Sequence, residues 1–232
     1  MEDARAALLD HVQPSVRQVI LSRVRSQRVA KGRTVVGLAS RSTEVFFIVE
    51  GTAQAVLYSA NGREVSIRDI GPGDLFGELS VLDEQPRSAS VVAITDMRLM
   101  VMSPTDFLAC IESSPYAALW LCRRLGAEVR RLTERVFELS ALNVRARLHC
   151  ELLRMARTSA SQKLTVNPAP THAELANRIG THREAVTREM RILAELNIIR
   201  NGRRSLEFLD LPGLERAVGL AIGEMGELDG RA

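Results

Sequence analysis

Glu78 and Arg87 lie nine positions apart in a stretch whose residue types suit the binding of a small phosphorylated sugar. Glu78 belongs to the sequence FGELS at 76–80, and Arg87 begins the sequence RSAS at 87–90. An arginine can donate two parallel hydrogen bonds to phosphate oxygens, and the serine after it adds a hydroxyl donor. An ionised carboxylate only accepts hydrogen bonds, so it suits a sugar hydroxyl. Because neither sequence supplies a group that would cleave such a ligand, we predict binding rather than catalysis.

The backbone around these two residues can add donors for an anion. Glycines at 71, 73 and 77 allow turns with positive φ, in which successive N–H groups converge on one point. A short helical turn that begins near Glu78 would direct the positive end of its dipole towards the same anion. The alternative is that Glu78 and Arg87 form a surface ion pair that closes a hairpin.

The elements that must position these residues are predicted from the pattern of apolar residues. The predicted strands cover 46–49, 54–58, 65–70, 90–94 and 97–102, and glycine turns separate the earlier ones. Asn61-Gly62 between two of these runs is a strong hairpin signal. We therefore expect a small jelly-roll-like barrel between about 27 and 102, preceded by a short helical segment within 4–24.

A long helix is predicted after the barrel. Ser103 and Pro104 have the residue types of an N-cap and a first helical position, and Pro115 restarts the helix after a brief break. Apolar residues then recur at steps of four, three, four and three, at Leu125, Val129, Leu132, Val136 and Leu139. This spacing is typical of a coiled-coil seam and predicts a homodimer. The alternative is a single helix that lies on its own barrel.

The C-terminal third has the pattern of a winged helix-turn-helix. Thr171 and Thr181 each precede a glutamate by three positions, which predicts two capping boxes, and Gly180 separates the two helices. The inward face of this pair is predicted to consist of Leu175, Ile179, Val186, Met190 and Leu193. Asn201-Gly202 predicts a hairpin, or wing, after the second helix. The fold class is therefore α+β.

Charge and composition agree with a nucleic-acid-binding half. Residues 143–206 hold twelve Lys and Arg against five Asp and Glu, a local charge of +7, so the rest of the chain carries −4 within the total of +3. With 232 residues, no long uncharged apolar stretch and an acidic start, the chain is expected to be a cytoplasmic protein of two modest domains. Its three cysteines, Cys110, Cys122 and Cys150, have no metal-like spacing and are expected to be buried free thiols.

The second helix of the predicted pair carries side chains that can read bases in the major groove. Arg183 and Arg188 can each donate two hydrogen bonds to guanine, and Glu184 can accept from cytosine. Glu184 and Arg188 are also four positions apart, so the alternative is an exposed ion pair worth about 0.3–0.5 kcal/mol.

The FGEL and RSA sequences, together with REAVTR at 183–188, resemble the CRP/FNR family of bacterial transcription regulators across about 27–209. The resemblance implies a cyclic-nucleotide-binding β-roll, a dimerisation helix and a winged helix-turn-helix. It also implies cyclic AMP as effector, double-stranded DNA with palindromic TGTGA-type half-sites, and RNA polymerase as a further partner. The implied domains are 1–114, 115–142, 143–210 and a C-terminal extension at 211–232 to which no role is assigned.

The resemblance also implies which residues bind each partner. Glu78 would hold the ribose hydroxyl, Arg87 and Ser88 the cyclic phosphate, and Thr133 the base. The implied ligand-binding set is Gly77, Glu78, Leu79, Arg87, Ser88, Ala89, Arg68, Ile70, Leu132 and Thr133. The implied DNA-binding set comprises Arg183, Glu184 and Arg188 for bases, and Thr171, Thr181, His182, Arg200 and Arg203, mainly for phosphates.

Two departures from the family pattern leave both adenine and guanine as candidates for the base of the nucleotide. Leu132 stands where a hydroxyl is expected, and Glu128 replaces an arginine one turn earlier. Cyclic GMP, or both nucleotides, is therefore the alternative effector. An iron–sulfur cluster would need N-terminal cysteines, and none precedes Cys110; a haem would find only His11 near the chain start. Four scattered histidines do not supply the metal cluster of a hydrolase, so we expect no enzyme, metal, haem or iron–sulfur cluster.

Overall fold

A computed structural model describes residues 7–62, 64–158 and 164–229 of the chain. These residues form two compact units, one that ends at Arg130 and one that begins at Arg131, and the boundary falls within one helix. Among the described residues, no helix is long and apolar enough to cross a membrane.

The first unit is a β-roll with helices before and after it. Its elements are a 3₁₀ helix at Ala7–His11, α1 at Pro14–Arg23, β1 at Arg25–Val29, β2 at Thr34–Val36, β3 at Val45–Glu50, β4 at Ala53–Tyr58, β5 at Glu64–Ile70, β6 at Leu75–Phe76, α2 at Leu79–Leu82, β7 at Ser90–Ala93, β8 at Met97–Met102, α3 at Pro104–Ser113 and α4 at Pro115–Ala141. Two antiparallel four-stranded sheets have the orders β1-β8-β3-β6 and β2-β7-β4-β5. The predicted jelly-roll-like fold is confirmed.

Strand β3 lies at the centre of this unit because it is apolar on both faces. Phe46 packs into the core between the sheets and stacks on Phe76, with ring centroids 4.9 Å apart. Phe47 points the other way, into a second core that includes Phe107 and Leu121 of the helices. Side chains alternate along a strand, so a run of apolar residues can be buried on both faces at once. Strand β6, which pairs with β3, leads directly into the sequence that contains Glu78.

Local signals placed several of these elements correctly. The β4–β5 hairpin turns at Asn61-Gly62, where the N–H of Gly62 donates to the carbonyl of Ser59 at 2.8 Å. Ser103 caps α3 by accepting a hydrogen bond from the N–H of Asp106. The expected N-terminal helical segment is divided into the 3₁₀ helix and α1, and its predicted residues 4–6 lie outside the described residues.

The second unit contains the end of α4 and a winged helix-turn-helix. Its further elements are α5 at Val144–Thr158, β9 at Thr165–Val166, α6 at His172–Ile179, α7 at Arg183–Glu195, β10 at Ile199–Asn201, β11 at Leu206–Phe208 and α8 at Leu211–Asp229. The three strands form one sheet with the order β10-β11-β9. All five residues predicted to form the inward face of the helix pair are buried. The expected fold of this unit is confirmed.

Four details differ from the sequence predictions. The Thr171 capping box is present, but the one at Thr181 is not, because α7 begins one position later with His182 at its N-cap and no side-chain cap bond. The sequence predicts that the second wing strand begins at Arg203, but the wing turns over 202–205, so Arg203 lies in the turn and not in a strand. Cys122 is exposed on α4, although Cys110 and Cys150 are buried. The sequence predicts a helix through Met225 in the C-terminal extension, whereas α8 continues to Asp229, and its Leu214 is fully buried.

We predict that Gly180→Ala destabilises the second unit by about 1 kcal/mol. Gly180 has φ +66°, and a Cβ there would lie 3.3 Å from Cδ2 of Leu139 on α4. Gly219→Ala is the control, because a Cβ at this helical glycine meets nothing within 4 Å. Urea unfolding followed by circular dichroism should show a lower free energy of unfolding for Gly180→Ala and a higher one for Gly219→Ala. The increase is expected because alanine in place of glycine stabilises an exposed helix by up to about 1 kcal/mol. Equal stabilisation by both would contradict the prediction.

Candidate functional site

Arg87 is buried at the end of the β-roll and is held by three oxygen atoms. Only 3% of this residue is exposed. Its Nε donates to Oγ of Ser42 at 3.1 Å, and Nη1 and Nη2 donate to the carbonyls of Gly77 and Glu44, both at 2.6 Å. A guanidinium has five N–H groups, so two remain for another acceptor. The position of this cation is therefore fixed by the backbone around it.

Gly77 is required for this arrangement. Its φ is +89°, and a Cβ there would lie 2.4 Å from Nη1 of Arg87 and 2.8 Å from the carbonyl oxygen of Glu44. Both distances are far shorter than van der Waals contact, so any side chain at this position would displace the guanidinium. The expected positive φ is confirmed here and at Gly73 but not at Gly71.

Glu78 is the N-cap residue of α2, and only 8% of it is exposed. Burial raises the pKa of its carboxyl group, and Glu128 adds to this, whereas Arg68 and Arg124 act in the opposite direction. Glu78 forms no ion pair with Arg87 within the described residues. Since both residues are buried, the alternative of a surface ion pair that closes a hairpin is wrong.

Two arginines from different elements meet beside Glu78. Nη2 of Arg68, on β5, and Nη2 of Arg124, on α4, each donate to the carbonyl of Leu75 at 3.1 Å. Arg124 also pairs with Asp74 at 3.0 Å, and Arg68 lies 3.6 Å from Glu128. The buried Nε of Arg124 has no hydrogen-bond partner among the described residues. A buried donor without a partner is a candidate contact for a polar group of a ligand.

Arg124 was missed by the sequence analysis. Glu128 stands where the family pattern has a cation, and it pairs with Arg68. Arg124 lies one helical turn before Glu128, so a cation is still supplied to this side of Glu78. The four-residue spacing on one helix face is the signal that could have identified it.

The other predicted ligand residues have different environments. Ser88 is exposed and Ala89 half-buried, beside Arg87 in the chain. Leu79 is 42% exposed, whereas Ile70 is 2% exposed and packs in the core between the sheets. Leu132 and Thr133 belong to the second unit, and both are exposed.

The predicted apolar stripe of α4 is exposed over most of its length. Val129 and Val136 are each 63% exposed, Leu132 is 40% exposed and Leu139 is 43% exposed. Only Leu125 packs against a core of its own unit. The core of the second unit therefore does not bury Leu132, Val136 or Leu139. Exposed apolar residues at this spacing mark a surface for association.

Helix α7 separates a buried face from a charged exposed face. Val186, Met190 and Leu193 are buried against α5, α6 and the wing. The exposed residues are Arg183, Glu184, Thr187, Arg188, Arg191 and Glu195. Arg191 pairs with Glu195 at 2.8 Å. No ion pair joins Glu184 to Arg188 in the part of the chain that the structure describes, so that alternative is wrong.

A buried carboxylate holds this helix in place. Glu189 lies on the inner face of α7 and is 7% exposed. Its Oε1 lies 2.9 Å from Nε2 of His149 and accepts from Nε of Arg145 at 2.8 Å, both on α5. Burial lowers the pKa of His149, although Glu189 opposes the shift, so the neutral ring donates to the carboxylate. These contacts fix the orientation in which the exposed face of α7 meets solvent.

The remaining predicted DNA-binding residues lie at the first residues of α6 and α7 and on the wing. Thr171 caps α6, and His182 is the exposed N-cap residue of α7. Thr181 is half-buried between them. On the wing, Arg200 pairs with Glu207 at 3.0 Å, and Arg203 is exposed in the turn. The structure therefore brings the whole predicted set together in one unit.

A network of ion pairs within this unit was not predicted. Glu138, near the end of α4, is held by Arg135 and by two nitrogens of Arg154 on α5. Arg154 also pairs with Glu151 at 2.8 Å. Glu151 in turn pairs with Arg178 of α6 at 3.1 Å. Burial opposes ionisation of Glu151, but Arg154 and Arg178 outweigh it and lower its pKa. The network joins the last turns of α4 to the first helix of the helix-turn-helix.

The family models agree with both units. A cyclic nucleotide-binding domain matches residues 26–114, and a Crp-like helix-turn-helix domain matches residues 146–217. The described residues contain no group of three or more His, Cys, Asp or Glu that could hold a metal ion.

Individual proteins are similar over most of the chain. The cyclic AMP receptor protein of Thermus thermophilus is 32% identical over 212 residues, which cover 90% of this chain and 95% of that protein. A solved CRP/FNR-family transcriptional regulator from the same organism has a TM-score of 0.70 at 24% identity, and covers 85% of this chain and 100% of its own. The c-di-GMP-responsive regulator CLP of Xanthomonas campestris has a TM-score of 0.72 at 16% identity, and covers 85% of this chain and 100% of its own. The last two likenesses show the fold alone.

We predict that Glu78→Gln raises the free energy of unfolding at pH 8. Because burial raises the pKa of Glu78, the wild type loses stability as pH rises through that pKa, and glutamine avoids the buried charge. The difference from wild type should shrink as the pH falls below 4.5, the ordinary pKa of a glutamate, because the carboxyl group is then protonated in both the folded and the unfolded state. Urea unfolding at several pH values measures it.

The matched control is Glu112→Gln, at an exposed position of α3. Because this side chain is exposed, the substitution should change the free energy of unfolding by no more than about 0.5 kcal/mol. If Glu78→Gln were less stable than wild type at pH 8, ionic contacts of Glu78 would outweigh its burial.

Proposed function

The chain belongs to the CRP/FNR family of transcription regulators, and we propose that it binds cyclic AMP and then a palindromic TGTGA-type DNA site as a homodimer. Its relatives are transcription regulators and not enzymes, and a cyclic nucleotide-binding domain matches its first unit. A regulator that responds to cyclic GMP, or to both nucleotides, is the second candidate. The observation that carries the proposal is the buried, backbone-held Arg87 beside the buried Glu78.

The ligand chemistry follows from the donors and acceptors at this site. Arg87 has two N–H groups left for the cyclic phosphate, and the exposed Ser88 adds a hydroxyl. Gly77, Leu79 and Ala89 are the further proposed contacts from the FGEL and RSA sequences. Glu78, in its ionised form, would accept a hydrogen bond from the ribose 2′-hydroxyl. A cyclic nucleotide has one negative charge and this hydroxyl close together, so it matches both groups.

The base is the least determined part of the ligand. Thr133 is the proposed hydroxyl contact, and Leu132 offers only an apolar surface. Arg68 pairs with Glu128, and Arg124 has a buried Nε without a partner among the described residues. A guanine carbonyl would accept from such a donor, whereas the adenine amino group would not. Adenine also offers ring nitrogens as acceptors, so this donor does not exclude cyclic AMP. Together with the departures at Leu132 and Glu128, it is the reason to retain cyclic GMP as the alternative.

The DNA chemistry is proposed for the exposed face of α7. Arg183 and Arg188 would donate to guanines, and Glu184 would accept from cytosine, since no ion pair between Glu184 and Arg188 competes for these groups among the described residues. Thr171, Thr181, His182, Arg200 and Arg203 would contact phosphates. In a homodimer the two recognition helices would lie about 34 Å apart, one turn of DNA.

The proposed homodimer would form along 115–142, where the stripe of α4 exposes Val129, Leu132, Val136 and Leu139. We propose that nucleotide binding acts on DNA affinity through this helix and the hinge at 139–143. Within the second unit, the ion pairs from Glu138 to Arg178 provide a rigid connection from α4 to α6. The other proposed domains are the nucleotide-binding domain at 1–114, the DNA-binding domain at 143–210 and the C-terminal extension at 211–232. We also propose RNA polymerase as a partner and the cytoplasm as the location.

The test is fluorescence anisotropy of a labelled TGTGA…TCACA duplex at one fixed salt concentration, with no nucleotide, cyclic AMP or cyclic GMP. Salt must be fixed because phosphate contacts dominate affinity. The proposal expects tighter binding with cyclic AMP, and tightening with only cyclic GMP would establish the second candidate. Equal binding under all three conditions would contradict both.

We predict that Arg188→Ala lowers the preference for this duplex over scrambled DNA by about 1–3 kcal/mol, because a bidentate contact to guanine is lost. Arg191→Ala is the matched control, since Arg191 lies on the same helix, is exposed and pairs with Glu195. The control should leave the preference unchanged. Full preference in Arg188→Ala would show that Arg188 does not read a base.

We predict that Val136→Asp converts the homodimer to a monomer, because a charge would replace an apolar side chain that is 63% exposed on the stripe. Ser140→Asp adds the same charge at another exposed position of α4 and should remain dimeric. Light scattering coupled to size-exclusion chromatography gives both masses. A wild-type monomer, or a dimeric Val136→Asp, would contradict the proposed interface.

A further inference from the structure

Thr187 lies in the middle of the exposed face of α7 and is not among the residues to which the proposed function gives a role. It follows Arg183 by four positions and Glu184 by three, the spacings of neighbours on one helix face, and the exposed Arg188 comes directly after it. Its hydroxyl donates to the carbonyl of Arg183 at 2.9 Å. The same oxygen lies 2.9 Å from Nδ1 of His172 on α6. Two helices of the unit therefore hold this one hydroxyl.

The two contacts determine what Thr187 can offer to a partner. A hydroxyl has a single proton, and here the carbonyl of Arg183 accepts it, so Nδ1 of His172 must be the donor in the second contact. The hydroxyl can then donate to nothing else without breaking a bond. Threonine is also branched at Cβ, so fixing its hydroxyl fixes the direction of its methyl group. The methyl is the part of this exposed side chain that no hydrogen bond engages.

In the major groove, the C5-methyl of thymine is the apolar feature that a methyl group can recognise. We propose that Thr187 is a specificity-determining residue that selects thymine, by methyl contact, at one position of each half-site. The proposal rests on the proposed DNA-binding function of α7. His172 is the positioning residue, because its hydrogen bond keeps the Thr187 hydroxyl away from the groove.

The experiment uses the full-length protein and a duplex that the protein itself selects from a randomised pool, with cyclic AMP or cyclic GMP present. It therefore does not depend on the TGTGA sequence. Each thymine of the selected half-site is then replaced by deoxyuridine, which lacks only the C5-methyl group. Anisotropy titrations compare wild type, Thr187→Ser and Thr187→Val. Serine keeps the hydroxyl and loses the methyl, whereas valine keeps a methyl and loses the hydroxyl.

The proposal expects that deoxyuridine at one thymine position weakens wild-type binding about fourfold, the effect of leaving one methyl unburied. Thr187→Ser should bind the thymine and deoxyuridine duplexes equally. Thr187→Val should keep part of the preference, although the contact to His172 is lost. Urea unfolding of each variant separates loss of the fold from loss of base discrimination, and the serine variant alone suffices if the valine variant is unstable.

Other outcomes overturn the proposal in distinguishable ways. If deoxyuridine has the same effect on wild type and Thr187→Ser at every position, Thr187 does not read thymine and only joins α6 to α7. Such a role would reduce stability in Thr187→Val and leave Thr187→Ser normal. If no duplex is selected from the pool, the proposed DNA-binding function fails, and this inference fails with it.

Discussion

The constraint on which the ligand site depends is the burial of two opposite charges that do not pair with each other. Arg87 is 3% exposed and Glu78 is 8% exposed, and a buried ion is costly unless other groups compensate. Arg87 is compensated by the oxygens of Ser42, Glu44 and Gly77. Glu78 opposes the lowering of the Arg87 pKa by burial, but the two side chains form no direct ion pair among the described residues. Each therefore keeps hydrogen-bonding capacity for a ligand that carries both a hydroxyl and an anion.

The second unit also contains a buried charged residue, and there it fixes the position of a helix. Glu189 is buried on the inner face of α7 and is compensated by His149 and Arg145. Its contacts anchor the helix, so the outer face is left with exposed arginines and Glu184. A chain of ion pairs from Glu138 to Arg178 joins α4 to α6 in the same way. Buried charges in this unit therefore set the orientation of the elements that would meet DNA.

The sequence predicted the features that depend on neighbouring residues. The Asn61-Gly62 hairpin, the Thr171 capping box and the apolar stripe of α4 are local patterns, and all are present. Arg124 and the Glu138–Arg154 pair were missed, because their partners lie 16 or more positions away and only the fold brings them together. The capping box at Thr181 failed because α7 starts one residue later than its sequence pattern indicates.

The central claim is that Glu78 recognises the ribose 2′-hydroxyl of a cyclic nucleotide whose phosphate is held at Arg87. Isothermal titration calorimetry of cyclic AMP, cyclic GMP and their 2′-deoxy forms tests it, with wild type and Glu78→Leu, which cannot accept a hydrogen bond. We expect the wild type to bind the ribose form about tenfold to a hundredfold more tightly than the 2′-deoxy form. Glu78→Leu should bind both equally. An unchanged preference for the ribose form in Glu78→Leu would contradict the account.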